Sequence, residues 1–315
     1  MSTIDLSKAF DRVPHELLLQ HLDGKITNTF LRWLGDYLSH RTFRIRYGGN
    51  YSCTMNVFSG VPQGSIIGPY LFASYMSSLV PSSDNVCYIK YADDITVIQP
   101  LYTNNQDPFT DAELPHIKTW LREKGLVLNE QKTKRLFIMK KCHPIDFSTL
   151  VCDHHVKILG VLFSCDLKWN DHVGSVVKLC SSRLHLLRKL KGLLCVKDLI
   201  SVYKSLVLSI LLYASPVFVG LNSQLSEQLE KLQKRAHRII CGVSCGCDSF
   251  PSISSLRLQQ AKNLLVNAER YSAHPLHTLV PDRLTRSRHL RQPFAMTARR
   301  YNSFFPHVCK LLNLD

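Results

Sequence analysis

Two adjacent carboxylates interrupt a stretch that is otherwise built for a β-strand. In KYADDITVI, Lys90 to Ile98, residues Tyr91, Ile95, Thr96, Val97 and Ile98 are β-branched or aromatic. Asp93 and Asp94 stand in the middle of them. An unpaired buried carboxylate costs several kcal/mol, and two side by side repel each other. The pattern therefore predicts strands over 86–91 and 95–98 that meet in a tight hairpin, with the aspartates at its tip. A divalent cation would neutralise such a tip, since hard Mg²⁺ prefers carboxylate oxygens. Asp5, at the end of a strand-like TIDL, is the candidate for a third carboxylate. An exposed Asp-Asp turn with no metal is the plainer alternative, and ADD taken alone leaves it open.

The surrounding pattern alternates helices with strands. Pro14 opens a helix, PHELLLQHL, in the first-turn position that tolerates proline. Residues 27–40 predict a second helix with apolar positions 30, 31, 34, 37 and 38 on one face. TFRIRYGGNYSCTMNV (42–57) reads as a hairpin around Gly-Gly-Asn. GVPQGS (60–65) is a loop that precedes the apolar helix IIGPYLFASYMSSL. A helix around 111–124 leads into the turn and strand of GLVLNEQKTKRLFIMK, and VKILGVLFS (156–164) reads as a further strand with a central glycine. Beyond about residue 170 the pattern is helical, over 171–191, 197–213 and 224–241, which sets the expected domain boundary at 165–170.

DLSKAFD (5–11), GVPQGSIIGP (60–69) and YADD (91–94) occur in this order, followed by LNEQKTK and KILGVLFS. In these motifs the chain resembles reverse transcriptases, most closely those of non-LTR (LINE-type) retrotransposons. The resemblance implies an α+β fold: a polymerase palm, with an antiparallel sheet packed on helices, then a mainly helical thumb and a C-terminal helical region. The implied limits are 1–168 for the palm, 169–242 for the thumb and 243–315 for a basic extension. It further implies an RNA-directed DNA polymerase. Asp5, Asp93 and Asp94 would be catalytic, and Asp5 and Asp93 would bind two Mg²⁺ ions, with Mn²⁺ as a substitute. Phe10 matches the aromatic gate that selects deoxynucleotides. Gln63 and Gly64 match the loop beside the incoming nucleotide and template, and Lys132 a lysine that meets the leaving phosphate. RNA template, DNA primer and deoxynucleotide triphosphates are the implied partners.

Charge is divided unevenly along the chain. Residues 1–100 carry eight Lys/Arg and eight Asp/Glu, whereas residues 151–315 carry 23 against 10, a surplus of 13. Between 178 and 204, Lys178, Arg183, Arg188, Lys189, Lys191, Lys197 and Lys204 face only Asp198. A solvated helix face would balance its acids and bases, so a polyanion is the expected partner, its phosphates followed without reading sequence. Lys178, Arg183, Arg188, Lys189 and Lys191 are the candidate contacts. The arginines between Arg283 and Arg300 form a second candidate.

Eleven cysteines show no framework spacing, and neither Cys241/Cys245/Cys247 nor Cys152/His154/His155/Cys165 has a paired zinc pattern. Reduced, mostly buried thiols are expected, in an intracellular protein of nucleus or cytoplasm that is neither secreted nor membrane-spanning. The uncharged run Ser205 to Ser226 is broken by serines and Pro216 and reads as a core helix. The resemblance departs at the front, where a fingers segment would hold the triphosphate and only four residues precede Asp5. The expectation is of an N-terminally truncated palm and thumb that extends a primer poorly by itself. The alternative is an inactive remnant that binds nucleic acid through its basic helices.

Overall fold

A computed structural model describes residues 1–100, 109–138, 153–242, 250–282, 289–290, 293 and 303–312. Cys152, Cys245, Cys247 and the arginines of the Arg283–Arg300 segment lie outside the described residues. The chain divides into two compact units, 1–158 with 164–166, and 159–163 with 167–315.

In the first unit, β1 (Ser2–Ile4) is followed by α1 (Ala9–Arg12), α2 (His15–Leu22) and α3 (Asn28–Leu38). Four short strands follow, β2 (Thr42–Phe43), β3 (Arg46–Tyr47), β4 (Asn50–Tyr51) and β5 (Met55–Asn56), and then α4 (Gly68–Met76). β6 (Cys87–Tyr91) and β7 (Asp94–Ile98) form the expected hairpin, and α5 (Leu114–Glu123) precedes β8 (Lys134–Arg135). The sheet is ordered β6-β7-β1-β8, and all its pairs are antiparallel. Helices with antiparallel sheets make the fold α+β.

Apolar burial places this sheet against the helices. Ile4, Ile95 and Val97 share one core with Leu18 of α2, Leu34 and Leu38 of α3, Phe72 and Tyr75 of α4, and Ile117 of α5. The three middle residues of β7, Ile95 to Val97, are buried. At the far end of β6, Tyr88 and Ser82 both donate to the buried carboxylate of Glu113.

One strand reading needs correction. VKILGVLFS is two strands, β9 (His155–Ile158) and β10 (Val161–Ser164), and not a single strand. The reason is local: Leu159 and Gly160 both have positive φ, 45° and 85°, the pair of left-handed residues that closes a two-residue hairpin.

In the second unit, α6 (Asn170–Leu190) is followed by α7 (Val196–Tyr203), which runs on through a π-turn into α8 (Ser209–Leu212). Next come α9 (Ser223–Cys241), α10 (Ile253–Arg270) and α11 (Phe304–Leu312). Val173, Cys180, Leu184 and Leu187 of α6 pack with Leu229, Leu232, Ala236 and Ile240 of α9. Asn222 caps α9 by accepting from the Leu225 N–H at 2.8 Å. Among the described residues no helix is long and apolar enough to cross a membrane. Described cysteines divide differently from expectation: Cys180 and Cys309 are buried, whereas Cys53, Cys87, Cys165 and Cys195 are exposed.

Candidate active site

Strand register brings the aspartates together. β1 runs against β7 through Ser2–Val97, Thr3–Thr96 and Ile4–Ile95, so the next step sets Asp5 opposite Asp94. β6 and β7 close on Tyr91–Asp94, which leaves Ala92 and Asp93 as a two-residue turn. Ala92 is left-handed there, with φ 53°, a strained conformation for a residue with a Cβ. Three carboxylates thus gather at one end of the sheet. The Asp94 carboxyl is held above the ordinary aspartate range, first by desolvation and then by the charges of Asp93 and Asp5. Because Asp94 retains an exposed surface, we regard the two neighbouring charges as the more informative cause.

Lys132 supplies an opposite charge, its Nζ 3.7 Å from Asp5 Oδ2. The loop that carries it is tied to the end of β1: Asn129 donates to the Asp5 carbonyl at 2.9 Å, and Ser7 donates to the Val127 carbonyl at 2.8 Å. Among the described residues no three His, Cys, Asp or Glu side chains form a metal cage on their own. The donor set nevertheless fits a hard cation, whose remaining positions are usually filled by water and phosphate.

Behind the aspartates, α1 and the GVPQGS loop are locked to each other. Val61 donates to the Phe10 carbonyl and Gly60 to that of Val13, both at 2.8 Å. Gly60 has φ +93°, and a Cβ there would lie 2.8 Å from Asp11 Cα, so only glycine fits. Gln63 Nε2 donates to Asp11 Oδ1 at 2.8 Å, and His15 Nε2 contacts the Gly60 carbonyl at 2.9 Å. Gly64 is exposed with open space around it. The Phe10 ring stacks on Phe72, centroids 4.2 Å apart and planes 22° from parallel. One face of Phe10 is thereby fixed by the core.

Asp11, His15, Phe72 and Lys90 are the contributors that sequence reading missed. Asp11 closes the DLSKAFD motif, six residues after Asp5, and that position was its available signal. Lys90, in the stretch that carries the aspartates, donates to the carbonyls of Met76 and Leu79 at 2.9 Å each and approaches that of Ser77 at 3.4 Å. It neutralises the carbonyl end of α4.

In the second unit, Lys178, Arg183, Arg188, Lys189 and Lys191 are all exposed. Among the described residues none of the five has an ion-pair partner. They do not share one face of α6, however, as expected for a phosphate-tracking stripe. At about 100° per residue, Lys178 and Lys189 line up with His185, whereas Arg183 and Arg188 fall on opposite flanks. Lys191 lies past the end of the helix, at its C-cap.

Residues 1–163 match the family model for reverse transcriptase (RNA-dependent DNA polymerase), just over half of the chain, and the protein belongs to this family. It is 26% identical over 316 residues to the probable RNA-directed DNA polymerase from transposon BS of Drosophila melanogaster, covering 92% of this chain and 34% of that protein. It is 24% identical over 254 residues to the probable RNA-directed DNA polymerase from transposon X-element of the same fly, covering 76% and 28%. To the RNA-directed DNA polymerase from mobile element jockey it is 24% identical over 298 residues, covering 86% and 32%. The chain spans about a third of the length of the curated relatives it matches. The motif resemblance to LINE-type reverse transcriptases is borne out.

Proposed function

We propose that this chain carries the catalytic centre of an RNA-directed DNA polymerase, which adds deoxynucleotides to a primer 3′-hydroxyl along an RNA template. The observation that carries the reading is the register of Asp5 against Asp94, with Asp93 in the adjoining turn. Residues 1–168 act as the palm, 169–242 as the thumb and 243–315 as a basic extension.

Asp5 and Asp93 hold the divalent cations, and Asp94 adds negative charge beside them. Mg²⁺ bound there lowers the pKa of the attacking hydroxyl and neutralises the departing pyrophosphate. Lys132 releases Asp5 to the cation and turns its ammonium to the leaving phosphate. Phe10, braced by Phe72, excludes a ribose 2′-hydroxyl. Gln63, held by Asp11, and Gly64 line the template side of the nucleotide. Lys178 and Lys189 follow the backbone of the primer–template duplex, with Arg183, Arg188 and Lys191 at its margins.

The test is primer extension on an RNA template with Mg²⁺ or Mn²⁺. Asp93→Ala should lower extension by about 10³-fold or more, as expected when charge stabilisation of the transition state is lost, and leave duplex affinity unchanged. Extension that survives Asp93→Ala would overturn the assignment. Duplex binding with no extension by the unaltered chain would favour the alternative, a protein that binds nucleic acid without copying it.

A further inference from the structure

The hairpin of residues 42–56 is used by nothing described so far. All of its residues are exposed, and none belongs to the core of the first unit. Gly48 and Gly49 close it with φ of 54° and 85°. Its two ladders differ in register. Thr42 faces Asn56 and Phe43 faces Met55, whereas Arg46 faces Tyr51 and Tyr47 faces Asn50. The returning strand therefore carries one extra residue, a β-bulge. Ser52 bridges it, donating to the Ile45 carbonyl at 2.9 Å while its Oγ accepts from the Ile45 N–H at 2.8 Å.

Side chains separate by face. Arg44 and Arg46, two residues apart, share the face that holds Tyr51. Their guanidinium carbons lie 4.4 and 5.7 Å from the Tyr51 ring centroid. Phe43, Ile45 and Tyr47 occupy the other face, and Tyr47 is 87% exposed. Residues 41–57 contain three arginines and no acid. An isolated two-stranded hairpin is marginal in water, and like charges this close repel. Order on the arginine face comes from a ring that two cations share.

We propose that this arm binds single-stranded nucleic acid, with Arg44 and Arg46 on successive phosphates and Tyr51 stacking on a base. Charge complementarity selects a polyanion. The exposed aromatics select one whose bases are free to stack, because a duplex keeps its bases paired and presents only phosphates to such an arm. The inference stands apart from the polymerase reading, since it needs neither metal nor nucleotide.

The test is fluorescence anisotropy on the 315-residue chain in EDTA, with labelled oligouridylate and oligothymidylate of about 15 nucleotides and a blunt duplex as control. Arg44→Gln with Arg46→Gln should weaken binding of the single strands by about 10- to 100-fold, and Tyr51→Leu by about 5-fold or more. Duplex affinity should move by less than about 3-fold, because the duplex is held by other cations. Arg44→Lys with Arg46→Lys keeps the charge and should recover part of the loss. The ratio of oligouridylate to oligothymidylate affinity tells RNA from DNA. Single-strand binding that is unchanged in the glutamine variant, or lost in equal proportion with duplex binding, would overturn the proposal. So would self-association abolished by Ile45→Ser together with unchanged strand binding, which would make the arm a protein-docking element.

Discussion

The Lys132 ammonium lies 3.7 Å from Asp5 Oδ2, which makes a lysine from one end of the first unit the counter-ion for a carboxylate at the start of the chain. It is 69% exposed and its partner 31%, so the pair stabilises the fold by at most about 1 kcal/mol. Its consequence lies in metal binding. Lys132→Ala should tighten Mg²⁺ or Mn²⁺ binding a few-fold, because the cation no longer competes with an ammonium. The same variant should extend a primer about 10-fold more slowly or worse, as the leaving phosphate loses a charged contact. Calorimetric titration with Mn²⁺ and an extension assay measure the two effects. Parallel weakening of both would show that Lys132 only shapes the loop.

Lys90 tests how the carboxylate hairpin is anchored. Its contacts to the end of α4 are charge-assisted and half-buried, and burial holds its ammonium below the ordinary lysine range. Lys90→Met keeps the stem and removes the donors. It should cost about 1–3 kcal/mol of stability, read as a lower urea midpoint, whereas Lys90→Arg should lose less.

Gly60 tests the lock between α1 and the GVPQGS loop. Gly60→Ala combines a left-handed backbone with a Cβ 2.8 Å from Asp11 Cα and 2.9 Å from its carbonyl oxygen. Both neighbouring atoms are backbone and cannot step aside. A loss of about 2–4 kcal/mol is expected, and Gly64→Ala, with open space around it, should cost clearly less. Equal losses at the two sites would mean that the loop moves freely away from α1.

Phosphate tracking by α6 is read from salt. Lys178→Gln with Lys189→Gln should flatten the slope of log affinity against log salt for a duplex by about two, since two fewer counterions are released. Arg183→Gln with Arg188→Gln, on the two flanks of the helix, should change it less. A larger effect from the flanking pair would place the duplex on a different side of α6.

These contrasts mark what the residues themselves disclosed. KYADDITVI showed its hairpin because β-branched residues and two carboxylates are incompatible with most other placements. The periodic helices of the second unit were legible for the same reason, since burial of one face leaves a repeat. VKILGVLFS concealed its turn, because Leu159 has no propensity for a positive φ and the hairpin depends on packing. Gly160 lies under the Tyr213 ring, and the Tyr213 hydroxyl donates to the Leu159 carbonyl at 2.7 Å. Gln63 and Asp11, 52 residues apart, could be paired only by a fold that sets α1 against the loop. The bulge in the 42–56 arm was hidden because an extra residue leaves no compositional trace.

His172 provides the pH test of the second unit. It is 4% exposed, and its Nδ1 accepts from the Leu162 N–H at 3.4 Å. The Phe218 ring lies 4.9 Å away and that of Trp169 6.1 Å away. Nε2 is buried without a hydrogen-bond partner. Burial holds the imidazole below its ordinary value of 6.5. The unfolded chain takes up its proton near that value, whereas the folded chain resists it to lower pH. Stability from the neutral ring is therefore complete above about pH 7, falls as pH drops through 6.5, and levels off below the folded pKa. His172→Asn keeps an acceptor near the Leu162 N–H and removes the titration. Urea midpoints taken between about pH 5 and pH 7.5 should decline less steeply in this variant than in the unaltered chain. Identical slopes would show that the ring is protonated in the fold as readily as in the unfolded chain.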